Sequence, residues 1–98
     1  MEHEDEKRIV DRILQGDRQS YALLVEEYKV PIHNLACRMT GNAEDAADLT
    51  QDIFIRAYTH LWRYNPKKKF FTWLYTIALN TIKNHLKKNR RYREIQRY

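Results

Sequence analysis

FFTWLYTIALNTIKNHLKKNRR, residues 70–91, carries four aromatic rings in its first six positions and five lysines or arginines in its last nine. Aromatic rings bring large apolar area and belong in a core. A run of cations belongs in water or against phosphate. Helical periodicity reconciles the two. At about 100° per residue, Phe71, Leu74, Tyr75, Ala78, Ile82 and Leu86 share one broad arc. That arc is the expected core face of a helix beginning near Phe70 and running to about Lys88. Trp73, Thr76, Asn80, Lys83, Asn84 and Lys87 fall on the far side. For a merely solvated face the tryptophan is misplaced. The set suits nucleic acid. Lysines neutralise phosphates and release counterions. Asparagine amides pair with base edges. An aromatic ring stacks on an unpaired base for about 1–3 kcal/mol. Basic residues interleaved with aromatics favour an opened strand over an intact duplex. A second reading folds Trp73 back against the preceding helix or loop, partly buried. The two are compatible, because a half-buried ring is a rigid wall for a captured base.

Outward from this stretch, the chain reads as one all-α domain, a compact bundle of about four helices with the third and fourth as an antiparallel pair. Its 98 residues fit a single domain. At 43% apolar and 12% aromatic they can build a modest core, and two glycines and two prolines leave few breaks. The net charge of +5 hides a division. Residues 1–60 hold seven Lys/Arg against twelve Asp/Glu, and residues 61–98 hold eleven against one, so the halves are −5 and +10. Such polarity suggests two partners of different character, with a polyanion facing the basic half. The alternative is a solvated basic tail.

Ile9, Val10, Ile13 and Leu14 predict a short first helix that stops at Gly16, and Asp17 is placed to cap the next. Tyr21, Leu24, Val25, Tyr28, Ile32, Leu35, Ala36 and Met39 then hold one face for about five turns. Pro31 either kinks this helix near Glu27 or splits it at Val30. The apolar phase continues across it, which favours a kink. Gly41 reads as a left-handed terminator. Asn42 caps the third helix, with Asp45 placed to complete a capping box.

The third helix is expected over 43–61, its core face formed by Ala46, Thr50, Ile53, Phe54, Ala57 and Leu61. Asp48, Gln51, Asp52 and Ile55 make one continuous stripe on the opposite side. Acidic residues near a helix start complement its dipole, which accounts for Glu44 and Asp45 better than for Asp52. An apolar residue ringed by charge resembles an interface anchor, although lone surface isoleucines are common. LWRYNPKKK, residues 61–69, is a loop with Asn-Pro turn chemistry. Arg63, Tyr64 and Asn65 offer hydrogen bonds and a stackable ring at its tip, and Lys67, Lys68 and Lys69 follow. Residues 89–98 read as a weaker, charged helical extension or a linker.

AEDAADLTQDIFIRAY, a short basic loop and FFTWLYTIALNTIKNHLKK together resemble region 2 of a bacterial sigma factor of the extracytoplasmic-function group. ILQGDRQSYALLVEEYKVPIHNLACRMTGN resembles the start of that region, and the likeness covers about residues 9–91. Its most specific parts are Asp48, Gln51, Asp52 with Phe54, and Trp73 to Asn80. The resemblance implies a helical domain over 1–91. It implies that Asp48, Gln51, Asp52 and Ile55 dock on the coiled coil of the largest subunit of core RNA polymerase. It also implies that Thr76, Asn80, Lys83 and Asn84 read the −10 promoter element on the non-template strand, with Trp73 at the melting edge. Arg63, Tyr64, Asn65 and Lys67 to Lys69 would hold an extruded base, whose unstacking costs a few kcal/mol that a shaped pocket must offset. An anti-sigma factor is a further implied partner. A full member carries a second helical domain that reads the −35 element. Residues 92–98 are expected to begin the linker toward it, with that domain absent from this chain. Such a piece should bind core polymerase and single-stranded −10 DNA weakly.

Other chemistries find little support. His3, His33, His60 and His85 are scattered without ligand spacing, so no metal is expected. No cofactor loop and no nucleophile–base set is present, so no enzyme is expected. Cys37, the single cysteine, reads as a small buried thiol in a reducing, cytoplasmic setting. No apolar run is long enough for membrane insertion. A basic amphipathic helix could lie on an anionic surface, but the amides and hydroxyls of its polar face favour nucleic acid. The alternative function is a helical protein-interaction module whose basic face binds nucleic acid without sequence preference.

Overall fold

The computed structural model describes residues 1–96. Four helices form the bundle: α1 (His3–Leu14), α2 (Tyr21–Thr40), α3 (Ala43–Thr59) and α4 (Phe70–Gln96). Single 3-10 turns at Arg18–Ser20 and Leu61–Arg63 shape two of the connections. Among the described residues there is no strand.

α1 begins six residues earlier than its apolar pattern suggests. Glu4, Asp5 and Glu6 in its first turn complement the positive end of the helix dipole. Glu6 is nearly fully buried and accepts a hydrogen bond from the Tyr28 hydroxyl. Leu14, expected in the apolar stripe, is half exposed. Asp17 does not cap a backbone N–H. Its carboxylate accepts instead from the Ser20 hydroxyl at 2.6 Å.

α2 runs unbroken through Pro31. Leu24, Ile32, Leu35 and Ala36 of its predicted face are buried, and Tyr21, Val25, Tyr28 and Met39 pack partly buried against them. Cys37 is only half-buried, with its sulfur 3.7 Å from His33 Nδ1. The helix ends at Gly41, whose φ of 66° is the left-handed conformation that glycine adopts without a Cβ clash. Asn42 caps α3 by accepting from the Asp45 N–H at 3.0 Å. The reciprocal half of the capping box is not made. Thr40 Oγ1 takes the Asn42 N–H, and the Asp45 carboxylate turns 3.5 Å from His85 Nε2 of α4.

That contact joins the start of α3 to the second half of α4, so the two helices run antiparallel. α2 and α3 are antiparallel as well: the Tyr21 hydroxyl donates to the Phe54 carbonyl at 2.6 Å, and its ring lies 5.1 Å from Tyr58. The core gathers Ala46, Ile53, Phe54 and Ala57 of α3 with Leu74, Ala78 and Ile82 of α4. Leu49 joins them, whereas Thr50, expected there, is half-buried and returns its hydroxyl to the Ala46 carbonyl. Phe71, Tyr75 and Leu86 of the predicted α4 arc are half-buried at its margin.

Phe70 is wholly buried at the first position of α4. Tyr64, Trp73 and Tyr28 surround it at centroid distances of 5.6, 5.7 and 5.9 Å. From there α4 continues for 27 residues, about 40 Å, well past the turns it packs against. Residues 87–95 are all exposed, so this end projects from the bundle and draws the molecule out to 53 × 22 × 22 Å. The segment expected as linker from residue 92 is therefore helical through Gln96; its last two residues, 97 and 98, lie outside the described residues.

Phe70→Ala should destabilise the domain by about 3–5 kcal/mol, read from urea denaturation followed by circular dichroism. A pH effect follows from the tyrosines. Burial pushes the phenols of Tyr21, Tyr28 and Tyr64 up, and at Tyr28 the hydrogen bond to Glu6 adds to it. A phenol that ionises less readily in the folded chain stabilises it fully below the unfolded value of about 10. That contribution is lost as pH rises toward the folded value. The urea midpoint should therefore fall above about pH 10, and Tyr28→Phe should reduce the fall.

Candidate nucleic-acid and protein interfaces

On α4, Thr76, Asn80, Lys83, Asn84 and Lys87 are all exposed. The Thr76 hydroxyl donates to the Thr72 carbonyl at 3.1 Å, which leaves its oxygen free to accept. The amides of Asn80 and Asn84 have no side-chain partner among the described residues. They alternate with Lys83 and Lys87 on a face that carries no carboxylate before Glu94. Trp73 is half-buried. Its ring packs 5.4 Å from Tyr64 and 5.7 Å from Phe70, so it is held from one side and presented from the other.

The loop departs from the expected arrangement at three residues. Tyr64 is not an exposed ring at the tip: it is 6% exposed, edge-on to Phe70, and its hydroxyl donates to the Lys68 carbonyl. The reason is the 3-10 turn, whose three-residue period puts Leu61 and Tyr64 on the same inward side. Trp62 and Arg63 are left outside. Asn65 spends its carbonyl oxygens on the turn, accepting from Lys67 N–H at its side chain and from Lys68 N–H at its backbone, both at 3.0 Å. Lys69 is set apart from the other lysines. It lines a hollow with Glu2, Glu4, Glu6, Tyr28 and Phe71, where α1 supplies acids.

Tyr64, Asn65, Lys68, Thr72, Trp73 and Thr76 enclose a small cavity of about 220 Å³ between the loop and the first turns of α4. Its aromatic lining is Trp73 backed by Tyr64, their centroids 5.4 Å apart, and its other lining residues bring two hydroxyls, an amide and an ammonium group. Such a cleft accepts a flat, polar-edged ring by stacking and edge hydrogen bonds. Thr72 was not anticipated as part of it. Its position one helical turn before Thr76 is the signal that could have found it.

The α3 stripe is exposed along its length, with Ile55 at 57% and Asp52 partly covered by its ion pair with Arg56 at 3.2 Å. The pair is solvated and contributes little to stability. Packing divides the stripe. Gln51 and Ile55 border a shallow apolar groove of about 770 Å³ between α2 and α3, with Tyr21, Val25, Phe54 and Tyr58. Asp48 and Asp52 border a separate acidic hollow with Asp45, Leu49 and His85 against α4. A partner on this side would meet apolar area at one edge and carboxylates at the other. Among the described residues no helix is long and apolar enough to cross a membrane.

The family model for Sigma-70 region 2 matches residues 24–92. The RNA polymerase sigma-H factor of Pseudomonas aeruginosa is 41% identical over 83 residues, 85% of this chain and 43% of its own. The extracytoplasmic-function RNA polymerase sigma factor SigW of Bacillus subtilis is 37% identical over 84 residues, 86% of this chain and 45% of its own. The corresponding sigma-E factor of Escherichia coli is 38% identical over 78 residues, 80% of this chain and 40% of its own. The chain thus spans less than half the length of these relatives. An NMR structure of an engineered region 2 of sigmaE in complex with GTAAAA superposes with a TM-score of 0.81 at 37% identity, covering 88% of this chain and 90% of that one. CnrH, solved in complex with the cytosolic domain of CnrY, shares the fold with a TM-score of 0.73 at 24% identity, over 80% of this chain and 51% of that one. With a match that takes in most of α2, all of α3 and α4 as far as Tyr92, this chain belongs to the sigma-70 region 2 family.

Proposed function

We propose that this domain binds core RNA polymerase through α3 and recognises and opens the −10 promoter element through α4 and the loop before it. The observation that carries the reading is the face of α4. An aromatic-lined cleft at Tyr64 and Trp73 reaches Thr76, one helical turn before the exposed amides and lysines of α4. A duplex offers no unpaired base to such a cleft, whereas an opened strand offers a base for the cleft, edges for Asn80 and Asn84, and phosphates for Lys83, Lys87 and the loop. The similar solved domain in complex with GTAAAA supports the assignment.

In this reading Trp73 is the wall against which the first unpaired position stacks, and Thr76 and Lys68 meet its polar edge. Asp48, Gln51, Asp52 and Ile55 meet the coiled coil of the polymerase's largest subunit. The apolar groove beside Gln51 and Ile55 extends that surface, and an anti-sigma factor covering it would compete with polymerase. The protein would act in the cytoplasm, where polymerase is. Residues 1–91 form the domain, and the helical continuation from residue 92 leads toward the remainder of a longer factor.

Two experiments test the reading. In competition binding with single-stranded −10-like oligomers, Asn80→Ala should remove a preference of about 1–3 kcal/mol at one base. Lys87→Ala should instead weaken all sequences alike and lower the salt dependence by about one phosphate contact. Equal losses from both changes, for all sequences, would indicate non-specific binding. In a pull-down with core RNA polymerase, Asp48→Ala and Gln51→Ala should each reduce capture about tenfold or more and leave the strand affinity as it was. Parallel loss of both activities would contradict separate surfaces.

A further inference from the structure

Among the exposed large side chains that the cleft and the α4 face do not use, one is an indole. Trp62 is 66% exposed, more than any other aromatic residue described. A lone apolar residue at the surface is ordinary, so exposure alone decides nothing. Three further features do. The ring has a cationic neighbour on an anchored turn: the Arg63 guanidinium stands 4.9 Å from its centroid, and the 3-10 turn beneath is held by buried Leu61 and Tyr64. The group beside it is itself suited to phosphate, since an exposed guanidinium offers a fork of N–H donors to an oxyanion. The setting is cationic, with no Asp or Glu from residue 61 to residue 93.

Trp62 is not part of the cleft, yet it is two residues from Tyr64, the inner wall. Two residues of chain span at most roughly 7 Å, so the backbone that carries the exposed ring is close to the cleft, although the ring does not line it. We infer that Trp62 and Arg63 form a second stacking station, on which the indole takes an unpaired base neighbouring the one in the cleft and Arg63 takes the adjoining phosphate. The station rests on the strand-binding reading of α4 and extends it by one nucleotide. Trp62 supplies area and π-face without hydrogen-bond selection, so the station holds the strand open without choosing its sequence.

The test uses the full chain and single-stranded oligomers containing GTAAAA, in which one nucleotide at a time is made abasic. Trp62→Ala should lower affinity for the intact oligomer about 5- to 150-fold, the range for loss of one stacked base, and Trp62→Phe should keep most of it. The penalty should vanish when one particular nucleotide is abasic, and that nucleotide should differ from the one whose removal cancels the effect of Trp73→Ala. Undiminished binding by Trp62→Ala overturns the station, as does a penalty that is equal for every abasic oligomer. Unchanged DNA binding with lost polymerase capture would assign the ring to a protein partner and overturn it too. Failure of the parent reading is visible separately, as no preference of the unaltered chain for GTAAAA over a scrambled strand, and it overturns both.

Discussion

Phe70 sits at the first position of α4 with no exposed surface, enclosed by Tyr28 of α2, Tyr64 of the loop and Trp73 one turn further along its own helix. The rest of the candidate site depends on this packing. It sets the rotation of α4 about its axis. With Phe70, Leu74, Ala78 and Ile82 turned in, Asn80, Lys83, Asn84 and Lys87 are turned out. It also pulls Tyr64 inward, where it backs the cleft, and props Trp73 half out as the more exposed of the cleft's two rings. Rings with two χ angles each lose little conformational freedom when ordered, so holding Tyr64 and Trp73 in this arrangement costs little.

Charge is organised around the same helix. The acids of the first half concentrate at two places: the start of α1, where they complement its dipole, and the flank of α3. Asp45 and His85 meet where that flank touches α4, so the acidic row borders the inner side of a helix whose outer side is basic. Beyond Leu86 the basic end leaves the bundle altogether and projects with Lys87, Lys88, Arg90, Arg91 and Arg93 exposed. A charged projection of this kind strengthens long-range attraction to a polyanion and raises encounter rates at low salt. The acidic hollow and the groove of Gln51 and Ile55 lie along α3, so the two differently charged surfaces of this small domain are carried by different helices.

Helix identity was legible because it is a local property. Period-3.6 apolar spacing located α2, α3 and the first half of α4. Gly41 and Asn42 located a boundary by backbone and capping chemistry that needs only neighbouring residues. The exposed stripe Asp48, Gln51, Asp52 and Ile55 and the row from Thr76 to Lys87 followed from the same spacing. The start of α1 was not legible, because residues 3–8 carry charge without an apolar rhythm, and what buries Glu6 is Tyr28, 22 residues away.

From the amino-acid sequence by itself came the all-α class, the division of charge, the two faces of α4 and the family resemblance. All of these are written in spacing and composition along the chain. Only the tertiary structure decided which loop ring faces inward, that Tyr64 and Trp73 enclose one cleft while Trp62 stands outside it, that Lys69 belongs with the α1 acids, and that packing splits the α3 stripe between an apolar groove and an acidic hollow. These outcomes turn on which of several similar side chains wins a shared volume. That competition is settled by contacts between residues far apart in the chain, and no periodicity records it.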